Sequence, residues 1–264
     1  MAIRIGIGGW TFAPWRGSFY PEGLPHAQEL RYAGEHLSSI EINGTFYRTQ
    51  TPASYRKWAA EVPDGFVFAL KGPRYATHRK PLAEAGPSIE RFYNSGPLEL
   101  GDKLGPVLWQ FAPFTKFVPD DFAAFLDLLP RERDGRALRH VIEARHASFA
   151  DPRALALMRE RKIAYAIIES EKHAVIEDIT ADFVYLRLER SQDGEATGYA
   201  GKDLDRWAKR IRAWAAGGEP DDATRLLDKP APKAKARDGF VYFISGAKQR
   251  NPAAALALIE RLGK

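Results

Sequence analysis

The chain has 264 residues, 45% of them hydrophobic and 28% charged, an ordinary globular balance that excludes a fibrous or disordered polypeptide and is ample for a large buried core. It contains no cysteine, which removes disulfides, thiolate metal sites and cysteine nucleophiles together and fits a reducing compartment. A net charge of +5 tilts the molecule toward anionic ligands, although it also serves solubility.

The first residues, Met1-Ala2-Ile3-Arg4-Ile5-Gly6, run straight into a strand pattern. No basic segment precedes a long apolar one, so no signal peptide is expected. Every apolar run falls short of the roughly 18 residues of a membrane span. The expectation is a cytoplasmic protein with no membrane partner.

Short apolar runs rich in Val, Ile, Phe and Tyr recur at 3–9, 38–43, 66–71, 106–111, 139–145, 163–169, 183–189 and 239–245, and read as buried parallel strands. Helical spacing fills the intervals. Leu30, Ala33 and Leu37 share one face, and Tyr55, Trp58, Ala59 and Val62 another. Further stripes are Phe122, Phe125, Leu126 and Leu129; Leu204, Trp207, Ala208, Ile211 and Trp214; and Ala255, Leu258, Ile259 and Leu262. Thr51-Pro52, Asp151-Pro152 and Asn251-Pro252 each pair a capping oxygen with a proline at the first helical position. Residues 72–105 predict an excursion over one end of the fold with a helix near Ile89–Tyr93, and 217–238 a polar, lysine-rich exposed loop.

Eight strands alternating with helices predict a single α/β domain over 1–264, a (β/α)8 TIM-like barrel; barrels of this type average about 250 residues. An open doubly wound sheet is the runner-up. Its glycine-rich turn would be Gly6-Ile7-Gly8-Gly9, but an aromatic loop follows, not a helix.

Barrel active sites lie at the C-terminal ends of the strands. There the sequence places Glu41 and Asn43, Lys71, Gln110, Glu143 with Arg145 and His146, Glu169, Arg187 with Glu189, and Ser245. Side chains alternate faces along a strand, so Glu41 and Asn43, Glu143 and Arg145, and Arg187 and Glu189 share faces pairwise. If these point inward, carboxylates and cations converge at one mouth, as a catalytic cluster or as a salt-bridged layer closing the barrel. His78, in the third loop, is a further candidate. The first loop, from Gly9 to Pro21, holds five aromatics, with Tyr47 expected nearby; they suit stacking on a sugar or base, or form a plug under the third loop. No histidine-rich metal motif, P-loop or nucleophile elbow is present. No cofactor is predicted. Glu41, Glu143 and Glu169 offer oxygen ligands for a hard divalent cation, but neighbouring cations already compete for them.

Taken in order, these residues identify a family. The chain resembles the YecE-like family, domain of unknown function 72. The resemblance is carried by Gly8-Gly9-Trp10 with Trp15 and Phe19-Tyr20-Pro21, and by Glu41-Ile42-Asn43-Gly44-Thr45-Phe46-Tyr47. It continues through Trp58, Pro63, Phe66 to Lys71, Thr77-His78, Leu104-Gly105, Gln110-Phe111, Glu143-Ala144-Arg145-His146 and Tyr185-Leu186-Arg187. It covers nearly the whole chain. It implies a TIM-like barrel and a list of site positions, not a reaction, because the family's activity is not established. The sequence departs from the family pattern at Leu188-Glu189-Arg190, at Ile244-Ser245-Gly246 and at Phe149; the first two fall at the expected mouth.

The leading expectation is an enzyme, a hydrolase or lyase, acting on an anionic, phosphorylated or nucleotide-like small molecule. Lys71, Arg145 and Arg187 would hold the anion. Glu143 or Glu41 would be the general acid or base, with Asn43 and Gln110 orienting the substrate and His78, Trp10 and Tyr47 lining it. On this reading Glu143→Gln abolishes turnover and leaves the fold intact. Two alternatives stand beside it. One is a nucleic-acid-binding or processing barrel that uses Lys71, Arg74, Arg79, Lys80, Lys229, Lys233 and Lys235 on phosphates and Trp10 and Trp15 on bases. The other is a non-catalytic ligand-binding protein. Oligomeric state is not legible.

Overall fold

Strands that are apolar on both faces need cover on both sides, and a closed barrel supplies it: helices outside, other strands within. The computed structural model describes residues 1–171 and 175–263. Its barrel strands are β1 (Ile3–Gly8), β2 (Ser39–Ile42), β3 (Val67–Lys71), β4 (Leu104–Gln110), β5 (His140–Glu143), β6 (Ala164–Glu169), β7 (Phe183–Leu188) and β8 (Asp238–Phe243). Each pairs in parallel with the next, and β8 returns to β1. All eight expected strands form, and the closure excludes the open sheet.

Strand alternation divides the core into two shells. Val67, Ala69, Leu108, Val141, Ala166, Tyr185 and Tyr242 fill the barrel interior. Ile5, Ile40, Phe68, Leu70, Trp109, Ile142, Ile167, Leu186 and Val241 face out beneath the helices. Gly6 falls where β1 and β2 come closest: a Cβ there would lie 1.7 Å from the Ser39 carbonyl oxygen.

The outer layer consists of α1 (Glu29–His36), α2 (Pro52–Glu61), α3 (Gly86–Asn94), α4 (Pro119–Asp127), α5 (Pro152–Glu160), α6 (Gly201–Ala215) and α7 (Asn251–Arg261). On α6, Leu204, Trp207, Ile211 and Trp214 are buried as their spacing requires; full burial of such a side chain stabilises by roughly 1.5–3 kcal/mol. No helix among the described residues is long and apolar enough to cross a membrane.

Two local expectations are corrected. Thr51 and Asp151 cap their helices, accepting from Ser54 N (3.2 Å) and Arg153 N (2.8 Å). Asn251 does not, because a short turn at Lys248–Arg250 already leads into α7; its amide instead joins Ser191 Oγ (2.7 Å) and the Ser245 carbonyl (3.3 Å). The aromatics of the first loop do not lie under the third loop. Trp15 and Tyr20 are buried, and Phe19 and Tyr20 pack edge-on against Tyr32 of α1.

The 217–238 segment is a largely exposed loop, anchored at a few points to the barrel wall. No helix lies between β6 and β7 among the described residues, and this loop covers that side of the barrel. Buried Asp178 accepts from Leu226 N and Leu227 N, and Glu177 from Thr224 N. Because the loop leads into the start of β8, its Lys229, Lys233 and Lys235 approach the barrel from the end opposite the mouth.

Candidate functional site

The parity that fills the barrel interior continues upward into the site. Glu41 follows Ser39, Lys71 follows Ala69, Gln110 follows Leu108, Glu143 follows Val141 and Arg187 follows Tyr185, each two residues on and therefore inward. The pairs read from sequence do converge. Glu169 has the opposite parity on β6. It faces out and accepts from Arg206 Nη2 and Trp207 Nε1 of α6, both at 2.9 Å.

Arg187 is the hub. Its Nε and Nη2 donate to the two oxygens of Glu41, both at 3.2 Å, while Nη1 donates to Glu143 Oε2 and to Glu189 Oε1 (3.1 Å). Tyr185 Oη donates to Glu41 Oε2 at 2.6 Å. Gln110 Nε2 and Arg145 Nε both donate to Glu143 Oε1 at 2.6 Å. Burial works against ionisation of Glu143, but Arg187 and Arg145 outweigh it and hold its carboxyl below the usual range. Burial likewise opposes the charge on Arg187, and Glu143 and Glu41 overcome it. Glu189 is pushed up by burial despite Arg187 beside it. Buried charges persist only when paired and hydrogen-bonded, and this cluster meets that condition. The guanidinium bridges Glu41 and Glu143, so the gap between two carboxylates that a glycosidase reserves for its sugar is filled.

Above this layer opens a cleft of about 640 Å3. Its walls carry Arg48, Lys71, Arg145, Arg187 and Lys248 and, among the described residues, no carboxylate. Glu41 and Glu143 are fully buried beneath it. Lys71 is 6% exposed and has no carboxylate within 4 Å among the described residues; its Nζ lies 4.1 Å from the centre of the Phe46 ring. Burial, then the nearby Arg187, push its pKa down to about 8. Lys248 is more exposed, with its Nζ 4.4 Å over Phe12 and its pKa lowered by partial burial. Asn43, Trp10 and Tyr47 border the cleft as expected, and Trp10 is braced edge-on by Trp58 at 5.5 Å.

His78 stands apart. It ends the short helix Arg74–Thr77 on the third loop and borders a neighbouring cleft, with its ring edge-on to Phe46 at 5.5 Å. Burial, then Lys71 and Arg74, lower its pKa. Trp15 cannot stack on a ligand base: it is fully buried, with its indole N–H on the Lys248 carbonyl. Among the described residues, no group of three or more acidic or histidine side chains gathers to hold a metal ion.

The model of a protein family of unknown function, DUF72, matches residues 4–264. The chain belongs to the DUF72 family. A curated relative, the UPF0759 protein YunF of Bacillus subtilis, is 27% identical over 117 residues, a match spanning 42% of this chain and 40% of that protein. Solved DUF72 structures superpose over the whole barrel. One from Thermotoga maritima has a TM-score of 0.77 at 21% identity, covering 100% of both chains. One from Enterococcus faecalis has 0.75 at 16% identity, covering 99% of this chain and 96% of that one. The structure titled SacUVDE has 0.55 at 12% identity, which shows a shared barrel fold.

Two cations of this DUF72 mouth, Arg48 and Lys248, escaped the sequence reading, and Tyr185 of the layer beneath was named only for the resemblance. Tyr185 shares the parity of Arg187 and was legible by the same rule. Arg48 and Lys248 stand in βα loops beyond the strand ends, where alternation no longer says which way a side chain points.

Proposed function

We propose that the protein is an enzyme acting on an anionic substrate, phosphorylated or nucleotide-like, bound at the C-terminal mouth of the barrel. The observation that carries this reading is the cleft wall, with five cations and, among the described residues, no carboxylate, where the nearly buried Lys71 ammonium rests on Phe46 with no carboxylate within 4 Å. The buried Glu41 and Glu143 offset its burial only in part, and a bound anion supplies a direct partner. The place supports it too: phosphate sites of these barrels often form after strands seven and eight beside a short extra helix, here Ser245 and the turn Lys248–Arg250. Ser245 takes a left-handed backbone (φ 61°) at that point, a strain typical of binding loops.

Lys71, Lys248 and Arg145 hold the anion in this account. Lys71, with its pKa near neutrality, transfers a proton to or from the reacting group. Gln110 and Asn43 orient the substrate through their remaining amide atoms. Glu41 and Glu143 keep Arg187 and Arg145 rigid, so the positive field is in place before the substrate arrives.

A thermal-shift panel of phosphorylated sugars, nucleotides, inorganic phosphate and divalent metals tests the binding. A ligand at 100 times its Kd should stabilise the fold by about 2.7 kcal/mol. The shift should vanish in Arg145→Ala and Lys71→Met, and the stabilising compound should be converted to product by the wild type alone. Stabilisation that survives both substitutions would refute the site. Tight binding with no product would leave a binding protein in place of an enzyme.

A further inference from the structure

Most arginines of this barrel are matched to a carboxylate, as Arg133 is to Glu90 and Arg210 to Glu177. The third βα loop is different. Next to the mouth lies a small pocket bordered by Arg48, Gln50, Tyr75 and Arg91. Beyond it is an outer cleft of about 610 Å3 bordered by Arg74, His78, Arg79 and Lys80. The mouth and the pocket share Arg48 and Gln50, and the pocket and the outer cleft share Tyr75, Ser88 and Arg91, so the three adjoin in a row along this face, a track of neighbouring depressions. Its outer part has one acidic residue, Glu84, 3.9 Å from Arg79. Among the described residues Arg48, Arg74, Lys80 and Arg91 have no carboxylate within 4 Å; Arg74 and Lys80 lie over the rings of Tyr75 and Phe114.

The track also gathers the aromatic surface. Tyr47, Tyr75 and Phe114 are the exposed large aromatic side chains among the described residues, at 63%, 64% and 56%, and all three flank it. Tyr47 lines the mouth, Tyr75 lines both outer pockets, and Phe114 stands edge-on to His78. A single exposed ring is ordinary, but three gathered along one cationic face form a patch of the kind that marks a binding surface. An acidic peptide would satisfy the cations and leave the rings idle.

We propose that this track binds single-stranded nucleic acid. The cations of the third loop follow its phosphates, Tyr75, Tyr47 and Phe114 stack on its bases, and one nucleotide enters the mouth. A positive groove with interleaved rings is the physical requirement for such binding, since every base offers a π face. A single strand is favoured because a base reaches a concave mouth only when it is out of its stack, and flipping one out of a duplex costs a few kcal/mol. Only the placement of a nucleotide in the mouth rests on the anionic-substrate reading.

The test is fluorescence anisotropy with labelled 12-nucleotide DNA and RNA strands across a salt series, beside the thermal shift given by inorganic phosphate. If four phosphates are contacted, log K should fall against log salt with a slope near −3. Arg74→Ala/Arg91→Ala should weaken strand binding at least tenfold and flatten that slope by about 1.4. Tyr75→Ala should weaken it roughly tenfold and leave the slope unchanged. All of these variants should keep the wild-type phosphate shift, which also reports that they fold. The DNA and RNA arms decide which sugar is preferred. Strands that do not bind, or bind the variants as well as the wild type, while the phosphate shift persists, would overturn the track and leave the mouth reading standing. Displacement of the strand by polyglutamate, with Tyr75→Ala silent, would also overturn it. Strand binding without any phosphate shift would sustain the track and remove the mouth reading.

Discussion

Replacing Lys71 by methionine should make the protein more stable and, by the same act, unable to bind its ligand. Methionine keeps the length and the contact with Phe46 but removes the charge. In the wild type the ammonium is nearly buried and has no carboxylate within 4 Å among the described residues. The fall in its pKa from 10.5 to about 8 means that the folded protein disfavours the charged form by roughly 3 kcal/mol. The sign follows from linkage. Below pH 8 the lysine is protonated in both folded and unfolded chains, and the full penalty acts against folding. Between pH 8 and 10.5 the unfolded chain binds the extra proton, so wild-type stability attributable to this group rises by about 1.4 kcal/mol per pH unit. Lys71→Met should therefore gain roughly 3 kcal/mol at pH 7, or on the order of 6–12 °C in Tm, and the gain should shrink steadily above pH 8. Urea denaturation of both proteins from pH 7 to 10 measures it. A variant no more stable than the wild type at pH 7, or a gain independent of pH, would refute the reasoning. Stability surrendered at a binding site in this way is the usual trade against function.

Other substitutions probe the layer beneath. Glu143 accepts from Arg187, Arg145 and Gln110, so Glu143→Gln should cost about 3 kcal/mol in chemical denaturation, contrary to the intact fold expected from sequence; an unchanged midpoint would mean that Arg187 is held by Glu41 alone. Tyr185→Phe removes one hydrogen bond to the Glu41 carboxylate and should cost about 2 kcal/mol with no change in cleft shape; a loss below 0.5 kcal/mol would show that bond to be dispensable. Asp178→Ala strips the acceptor from two backbone N–H groups of the 217–238 loop and should cost about 2 kcal/mol while sparing ligand binding, and native-state hydrogen exchange at Leu226 and Leu227 should accelerate. Protected amides there would place the anchor elsewhere.

Much of this molecule was legible because two periodicities carry it. Alternation along the strands located all eight and also aimed Glu41, Glu143 and Arg187 at one another. The same rule, carried one strand further, would have turned Glu169 outward, since it shares the parity of Tyr165 and Ile167 rather than of Ala166 and Ile168. What alternation cannot give is depth. The carboxylates looked like candidate acids and bases because they stood at strand ends. The structure puts them under Arg187, with their oxygens already engaged. Loops carry no period at all. Arg48, Arg91 and Lys248 had no pattern to announce them, while Arg74, Arg79 and Lys80 stood out only as a basic run with no position relative to the mouth. The lysines of 217–238 attracted attention by number alone, and chain direction takes them to the wrong end of the barrel.

The central claim is that the mouth binds an anion and that Lys71 is its partner. Calorimetric titration with inorganic phosphate at pH 8, repeated in buffers of different ionisation enthalpy, tests this most directly. Near its pKa of about 8 the lysine is half protonated, and an anion beside it should complete the charge. The account predicts uptake of about half a proton per phosphate bound, in addition to any change in the phosphate itself, and no such uptake in Lys71→Met. Equal affinity and equal proton uptake in the wild type and Lys71→Met would contradict it.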